Sequence, residues 1–342
     1  MCLLIPVLLF AARRRVHQGP PAPEAPSSIV HDVSVVDVAA AQILPHRDIV
    51  IRGERIAGIR PAAARGRRER YVIPGLWDMH VHLWNEDPQL GLYLANGVTT
   101  VRDMGSDLKH VRLLEGRIAR GEIAGPRIYA SGAAVAAAPA GPDSRMPVNV
   151  IRTPNEARRI FDVYYDERVD VIRILDLDAR SFEALAERSR HDGVPFAGTL
   201  PDSVRAADAA LDRMVSMEHL FGIGLACSSK QSELRARLQT ARGAEAQALD
   251  GEIMETYDAG AANSLWDLFR GDGVRQTPML TSWSRMVCLN GPPESNRAHY
   301  DFAVKLTHDM ARAGVPILAG TDTGEPGTVP GVELHRELEL LE

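Results

Sequence analysis

Lysine is nearly absent from this 342-residue chain: of its 39 basic residues only Lys109, Lys230 and Lys305 are lysines. Cysteine is as scarce, and Cys2, Cys227 and Cys288 are too few and too scattered for a disulfide scaffold or a thiolate zinc finger. There is no excess of positive charge, since the formal net charge is −6 and the pI is near 6.0. That balance excludes the basic face that nucleic-acid binding requires, so no nucleic-acid partner is expected. No apolar run is long enough to make a stable membrane span. No Gly-x-Gly-x-x-Gly turn follows an early strand, which disfavours a doubly wound, dinucleotide-binding sheet. What is present is the composition of an ordinary globular protein, 45% hydrophobic and 25% charged, with length for one large domain or two smaller ones.

Residues 2–12 form a short apolar run followed by Arg13, Arg14 and Arg15. Its length suits the core of a secretory signal, although no basic residue precedes it and no small-x-small cleavage site stands out. Export to a periplasmic or extracellular location is therefore expected over a cytoplasmic one. Residues 1–28 are read as leader and linker, because Gly19–Ser28 is rich in proline and alanine and lacks periodicity. From Ile29 to Ile59 the valines and isoleucines alternate, with a hairpin turn at Arg52-Gly53-Glu54-Arg55. Residues 29–72 are expected to form a small antiparallel β unit, incomplete because three strands cannot bury both faces.

Beyond Tyr71, short apolar runs alternate with amphipathic segments. Strands are expected at Leu76–His80, Thr99–Asp103, Arg127–Ser131, Val171–Leu175, Pro195–Gly198, Met214–His219, Arg275–Thr281 and Pro316–Gly320. Helices are expected at Leu108–Arg120, Pro154–Asp166, Ser181–His191 and Ser203–Leu211, with Thr153-Pro154-Asn155-Glu156 as a helix-start signal. Eight strands alternating with helices over 73–342 fit an α/β fold of the (β/α)8, TIM-type barrel class, whose typical length is about 250 residues. The chain stops at Glu342, inside the helix expected after the eighth strand, so a truncated last helix is expected. Ser228–Arg270 is long for a connection and reads as a helical lid.

His80 and His82 stand at the end of the first barrel strand and share a face, because side chains two apart point the same way. Two imidazoles so placed can hold one metal ion at about 2.0–2.1 Å. His219 ends another strand, at the edge where barrel active sites lie. Asp322 follows the apolar run Pro316-Ile317-Leu318-Ala319-Gly320-Thr321, where a carboxylate can ligate a metal and accept a proton from water. The structural alternatives are two polar residues at a strand end, a satisfied core histidine at 219, and a turn-capping aspartate at 322. Ser203 is expected to cap a helix, and His31, His46 and His110 to be solvated. Cys227 and Cys288 show no histidine motif that would make a thiol nucleophile.

Four stretches together resemble the amidohydrolase superfamily, in its imidazolonepropionase-like and prolidase-like branch. They are His80-Val81-His82 after Pro74-Gly75, Gly97-Val98-Thr99-Thr100-Val101-Arg102-Asp103, Glu218-His219-Leu220 and Ala319-Gly320-Thr321-Asp322-Thr323. The resemblance runs from about Ile29 to Glu342. It implies amide hydrolysis with one or two divalent metals at the mouth of a barrel, beside a small β-sandwich built from both chain ends. It also implies metal ligands at His80, His82, His219 and Asp322, with Asp322 and His219 as catalytic residues. Two positions depart from the family. Its metal-bridging lysine is matched by Arg173, whose guanidinium is always charged and a poor nucleophile. Its fifth-strand histidine is matched by Thr199, a poor zinc ligand.

These losses leave the second metal position only His219, so one ion is expected, most readily zinc, with iron or manganese also compatible. Arg173 disfavours a nearby divalent ion by several kcal/mol at about 4–5 Å and a dielectric near 20. It could instead occupy the vacated position and stabilise an oxyanion, or form a salt bridge with Asp322. The leading expectation is a metal-dependent hydrolase cleaving a C–N bond in a peptide-like or cyclic amide small molecule. The competing one is a catalytically degenerate or truncated relative without turnover. An ester or phosphotriester hydrolase is a third, because a fold does not fix its chemistry. Substrate identity and oligomeric state are left open by the sequence.

Overall fold

The valines and isoleucines that alternate between 29 and 59 form an antiparallel ladder in the computed structural model, which describes residues 27–66, 69–84, 89–141, 144–289 and 293–342. The apolar leader and Cys2 lie outside the described residues, and the linker's last residues, Ser27 and Ser28, already belong to a strand. Contacts divide the chain into two units, Met1–Pro74 and Gly75–Glu342. In the first, β1 (Ser27–Asp37), β2 (Gln42–Arg52), β3 (Arg55–Pro61) and β4 (Tyr71–Val72) are ordered β3-β2-β1-β4, with β4 parallel to β1. Gly53 and Glu54 make the expected hairpin turn. Val33 and Ile49 are buried, but Val38, Ile56 and Ile59 stay exposed, as expected of a sheet with one uncovered face. His31 and His46 are partly exposed, and each lies against a carboxylate, at 3.3 Å from Asp48 and 2.9 Å from Asp32.

The second unit is a mixed α/β fold of parallel strands. A three-stranded sheet joins β5 (Leu76–Val81), β6 (Val98–Asp103) and β7 (Arg127–Ala130). A six-stranded sheet contains β8 (Ala134–Ala136), β9 (Val148–Val150), β10 (Ile172–Asp176), β11 (Phe196–Gly198), β12 (Ser216–Glu218) and β13 (Arg275–Thr277). Its order is β13-β12-β11-β10-β8-β9. Among the described residues these two sheets do not make one closed eight-stranded ladder. Short strands β8 and β9 were not anticipated.

Two expected strands end differently, for local reasons. Arg275–Thr281 stops at Thr277, because Pro278 has no N–H to donate and Met279 turns into the left-handed region at φ 54°. Leu280 and Thr281 instead open the helix Leu280–Leu289, their amides donating at 3.0 and 2.7 Å to the buried Glu337 carboxylate. Pro316–Gly320 is extended but forms only isolated bridges, Ile317 to Gln276 and, further on, Thr323 to Val81. It lies between β13 and β5, where Leu318 N donates to Gln276 O at 2.8 Å and Ala319 O accepts from Met79 N at 2.9 Å. The ladder breaks where Thr321 N and Asp322 N converge on one acceptor, His80 O, at 3.2 and 2.8 Å.

The helices follow their caps. Thr153 Oγ1 accepts from Glu156 N at 3.2 Å ahead of the helix Pro154–Asp166, and Asp178 accepts from Arg180 N and Ser181 N at the start of Ala179–Asp192. The expected helix at Ser203 begins only at Ala206, and Ser203 Oγ donates to Leu177 O at 2.6 Å, so this serine is not a cap. The expected lid is three helices, Gln231–Leu238, Ala244–Glu255 and Ala259–Asp272. The last is no lid, because its Trp266 and Phe269 are buried in the main core with Phe161, Phe182 and Phe196. Cys227 is buried and free, its thiol pushed up to about 12 by burial, which removes it as a nucleophile. The final helix, Val332–Leu341, buries Leu334 against the β5–β7 core. Among the described residues no helix is long and apolar enough to cross a membrane.

Replacing Thr153 by alanine removes the capping oxygen of Pro154–Asp166. Urea unfolding should show a stability loss of about 1 kcal/mol with an unchanged denaturant slope.

Candidate metal centre

Parallel strands put their carboxyl ends on one rim, and the chemistry-bearing residues gather there. His80 lies near the end of β5 and His82 just past it; His219 follows β12; Asp322 follows the 316–321 segment. His80 Nδ1 is 2.9 Å from Glu218 Oε2, and its Nε2 is 3.8 Å from Asp322 Oδ1. His82 Nε2 reaches the same Oδ1 at 3.0 Å. The His219 ring lies 5.0 Å from that of His80, edge to face. His80, His219 and Asp322 each offer a ligand atom within 4.8 Å of the others. His82 stands outside that trio, hydrogen-bonded to Asp322 and stacked on Trp84 at 4.0 Å.

Asp322 reaches His80 and His82 because glycines flank it. A Cβ on Gly320 would stand 2.6 Å from Thr277 Cγ2 and 3.0 Å from His80 Cβ. Gly324, at φ 119°, has no room for a side chain against the His82 carbonyl. His219 and Asp322 both adopt the left-handed region, at φ 61°, where an L residue is strained, and such strain gathers at functional sites. Trp283 Nε1 donates to His219 O at 3.2 Å, and Ser282 Oγ donates to Asp322 Oδ2 at 3.3 Å, so the helix after β13 steadies both.

Sequence reasoning missed the support beneath these residues. Glu218 is fully buried and accepts from Arg102 Nη2 at 2.8 Å and Ser216 Oγ at 2.6 Å; Arg102 also donates from Nε to Met79 O at 2.6 Å. The signal was available, since Ser216 and Glu218 alternate along one strand face. Burial raises the Glu218 carboxyl, but the Arg102 charge and the His80 hydrogen bond outweigh it and bring it to about 2. Burial drives His80 down to about 3, so its ring is neutral. An ionised Glu218 fixes the proton on Nδ1 and leaves the Nε2 lone pair directed toward Asp322. Burial also lowers His219, and Asp322 is held well below its usual range despite burial by the His82 hydrogen bond and the neighbouring imidazoles.

The donor set suits a divalent cation. His80 Nε2 and His82 Nδ1 are buried without hydrogen-bond partners among the described residues, and a neutral imidazole beside an ionised carboxylate is a zinc-type ligand pair. Arg173 is buried, and it makes no salt bridge with Asp322 among the described residues; its Nη1 donates to the Met104 carbonyl. Thr199 lines an adjoining cavity of about 380 Å³ whose walls include Leu200, Leu220, Phe221, Trp283 and Phe302. Leu238, Asp250 and Met254, from the first two helices of the 228–270 segment, also line it.

No family model matches this chain, and no curated protein is similar to it. Solved structures are. A bottromycin amidohydrolase shares 23% identity at a TM-score of 0.71, over 92% of this chain and 73% of that one. A putative prolidase from Bifidobacterium longum shares 22% at 0.65, over 93% and 79%, and an A. niger ochratoxinase shares 19% at 0.64, also over 93% and 79%. The chain shares the fold of these solved structures. All three of these neighbours are amidohydrolase-superfamily members, which agrees with the resemblance its motifs carry. Within this fold, Asp78 anchors the Asp322 segment, accepting from Thr321 Oγ1 at 2.6 Å and Thr321 N at 3.1 Å.

Burial raises Asp78 to about 7, so between about 3.8 and 7 the folded chain binds more protons there than the unfolded one, and acidification stabilises it. His80 has the opposite sign: lowered from 6.5 to about 3, it binds fewer protons when folded, and stability falls as pH drops through that window. The two effects offset each other in the wild type. In chelator-treated Asp78→Asn, denaturant melts should show stability falling more steeply from pH 6.5 toward 4 than in the wild type.

Proposed function

We propose that this chain is a metal-dependent amidohydrolase that cleaves the C–N bond of a peptide-like or cyclic amide small molecule. The observation that carries it is the approach of His80 Nε2 and His82 Nε2 to the same carboxylate oxygen, Asp322 Oδ1, at 3.8 and 3.0 Å, with His219 alongside. His80, His219 and Asp322, whose ligand atoms lie within 4.8 Å of one another, would hold one divalent ion, with His82, hydrogen-bonded to Asp322, beside it as a further ligand. Two imidazoles and a carboxylate suit zinc, and also Fe(II) or Mn(II). When bound, such an ion polarises a carbonyl and lowers the pKa of water. We further propose that the two parallel sheets and the 316–323 segment between β13 and β5 make one (β/α)8 barrel, and that the N-terminal strands belong to a small β-sandwich.

The chain's own residues divide the work. Glu218 holds His80 through Nδ1, and Arg102 with Ser216 holds Glu218. Asp322, held ionised by the His82 hydrogen bond and the neighbouring imidazoles, would accept the proton of the attacking water and pass it to the leaving nitrogen. His219 stacks at 5.4 Å on Phe221, a wall of the cavity, and so links the donor set to the space where a substrate would lie. The leucine and aromatic walls fit a bulky apolar group on that substrate. Prolidase and amidohydrolase neighbours support amide chemistry. A scaffold without turnover is the second reading, favoured by Arg173 and Thr199 at positions where the family has metal ligands.

Elemental analysis of the purified chain should find about one divalent ion per molecule, and His80→Ala should abolish both that ion and hydrolysis across dipeptide and lactam panels. Two ions, or full activity in His80→Ala, would refute the reading. Glu218→Gln keeps a hydrogen-bond acceptor but loses the charge; zinc titration should show affinity weakened by about 10–100-fold.

A further inference from the structure

Arg173 is a charged side chain of this rim that neither holds His80 nor joins the group of His80, His219 and Asp322. It sits in β10 between Ile172 and Ile174, which point to the helix-packed core with Phe182 and Phe196. Alternation therefore turns Arg173 to the opposite face, where Met104, Val171 and Ala197 cluster. Only 3% of it is exposed. Its Nη1 donates to the Met104 carbonyl, and its Nε is buried without a partner among the described residues. Gly105 leaves the space it occupies, since a Cβ there would stand 3.0 Å from Nη1.

The contrast with Arg102 is informative. Arg102 is buried on the same rim and is fully engaged, by Met79 O, Ser216 Oγ and Glu218. Arg173 makes no ion pair among the described residues, although the charges of Asp322, Glu218 and Asp103 all act on it. A guanidinium carries five N–H donors, and one withdrawn from water needs acceptors for them. If its role were structural, the fold would bring one of these carboxylates into contact with it, as it does for Arg102.

We propose that Arg173 is an anion-binding residue, its guanidinium with the unpartnered Nε forming a subsite beside His80, His219 and Asp322 for an oxyanion group of the ligand. The chemistry is a carboxylate or a tetrahedral oxyanion, both of which a planar guanidinium grips through paired N–H donors. Assigning that oxyanion to a substrate or its tetrahedral adduct rests on the hydrolase reading, whereas the anion subsite itself does not.

The test titrates the chelator-treated full chain with inorganic phosphate and, separately, with acetate, by calorimetry at about pH 8, where histidines are neutral. Wild type should bind at least one of them saturably, and the tighter of the two tells tetrahedral from planar recognition. Arg173→Met should bind at least roughly tenfold more weakly, and Arg173→Lys should fall between, because it keeps charge without the fork. Without anion, Arg173→Met should melt at or above the wild-type temperature, because it removes a poorly paired buried charge. Equal affinity in Arg173→Met, no binding by wild type, or a Met variant melting well below wild type would overturn the proposal. Because the metal-free chain is used, each of these outcomes is independent of whether the protein hydrolyses amides.

Discussion

The chain of contacts from Arg102 through Glu218 to His80 is what the rim depends on. It joins β6, β12 and β5 by buried side-chain bonds of 2.8 and 2.9 Å. A buried carboxylate is tolerable only when its lone pairs are filled, and here arginine, serine and imidazole fill them. The arrangement does more than hold strands together. By accepting from Nδ1 it selects one tautomer of His80, and that choice leaves Nε2 with an available lone pair.

Asp322 is delivered by a different device. Its segment does not join a regular ladder; it is threaded between β13 and β5 by scattered backbone bonds and pinned through Thr321 to the buried Asp78. Gly320 and Gly324 let that backbone press against His80 and His82, and the left-handed conformation of Asp322 turns its carboxylate toward them. Arg173, buried nearby with a donor to spare, gives the rim a fixed positive charge of a kind that neither Arg102 nor the histidines provide.

Much of this was legible in the residues. The alternating valines of 29–59, the short parallel strands, the cap at Thr153, the positions of His80 and His219 at strand ends and that of Asp322 after an apolar run follow from period and local chemistry. What was not legible depends on partners distant in sequence. Glu218 looked like a strand residue until Arg102, 116 positions away, came into contact with it. The helix at Leu280 was hidden because its cap, Glu337, lies 57 positions downstream. Ser203 had the residue type of a cap, but its hydroxyl is used by Leu177 O.

The sequence by itself determined which groups are available: a histidine pair two apart, a histidine and an aspartate after apolar runs, and arginine and threonine where lysine and histidine might have stood. Residue identity and spacing settle that, because they act over one turn or one strand. Tertiary structure alone decided how those groups are charged and aimed. Burial neutralises His80, the Arg102–Glu218 pair orients it, and Arg173, with no salt bridge to Asp322 among the described residues, keeps an unpartnered Nε. Such effects depend on distances between residues far apart in the chain and on the exclusion of water, neither of which a linear pattern contains.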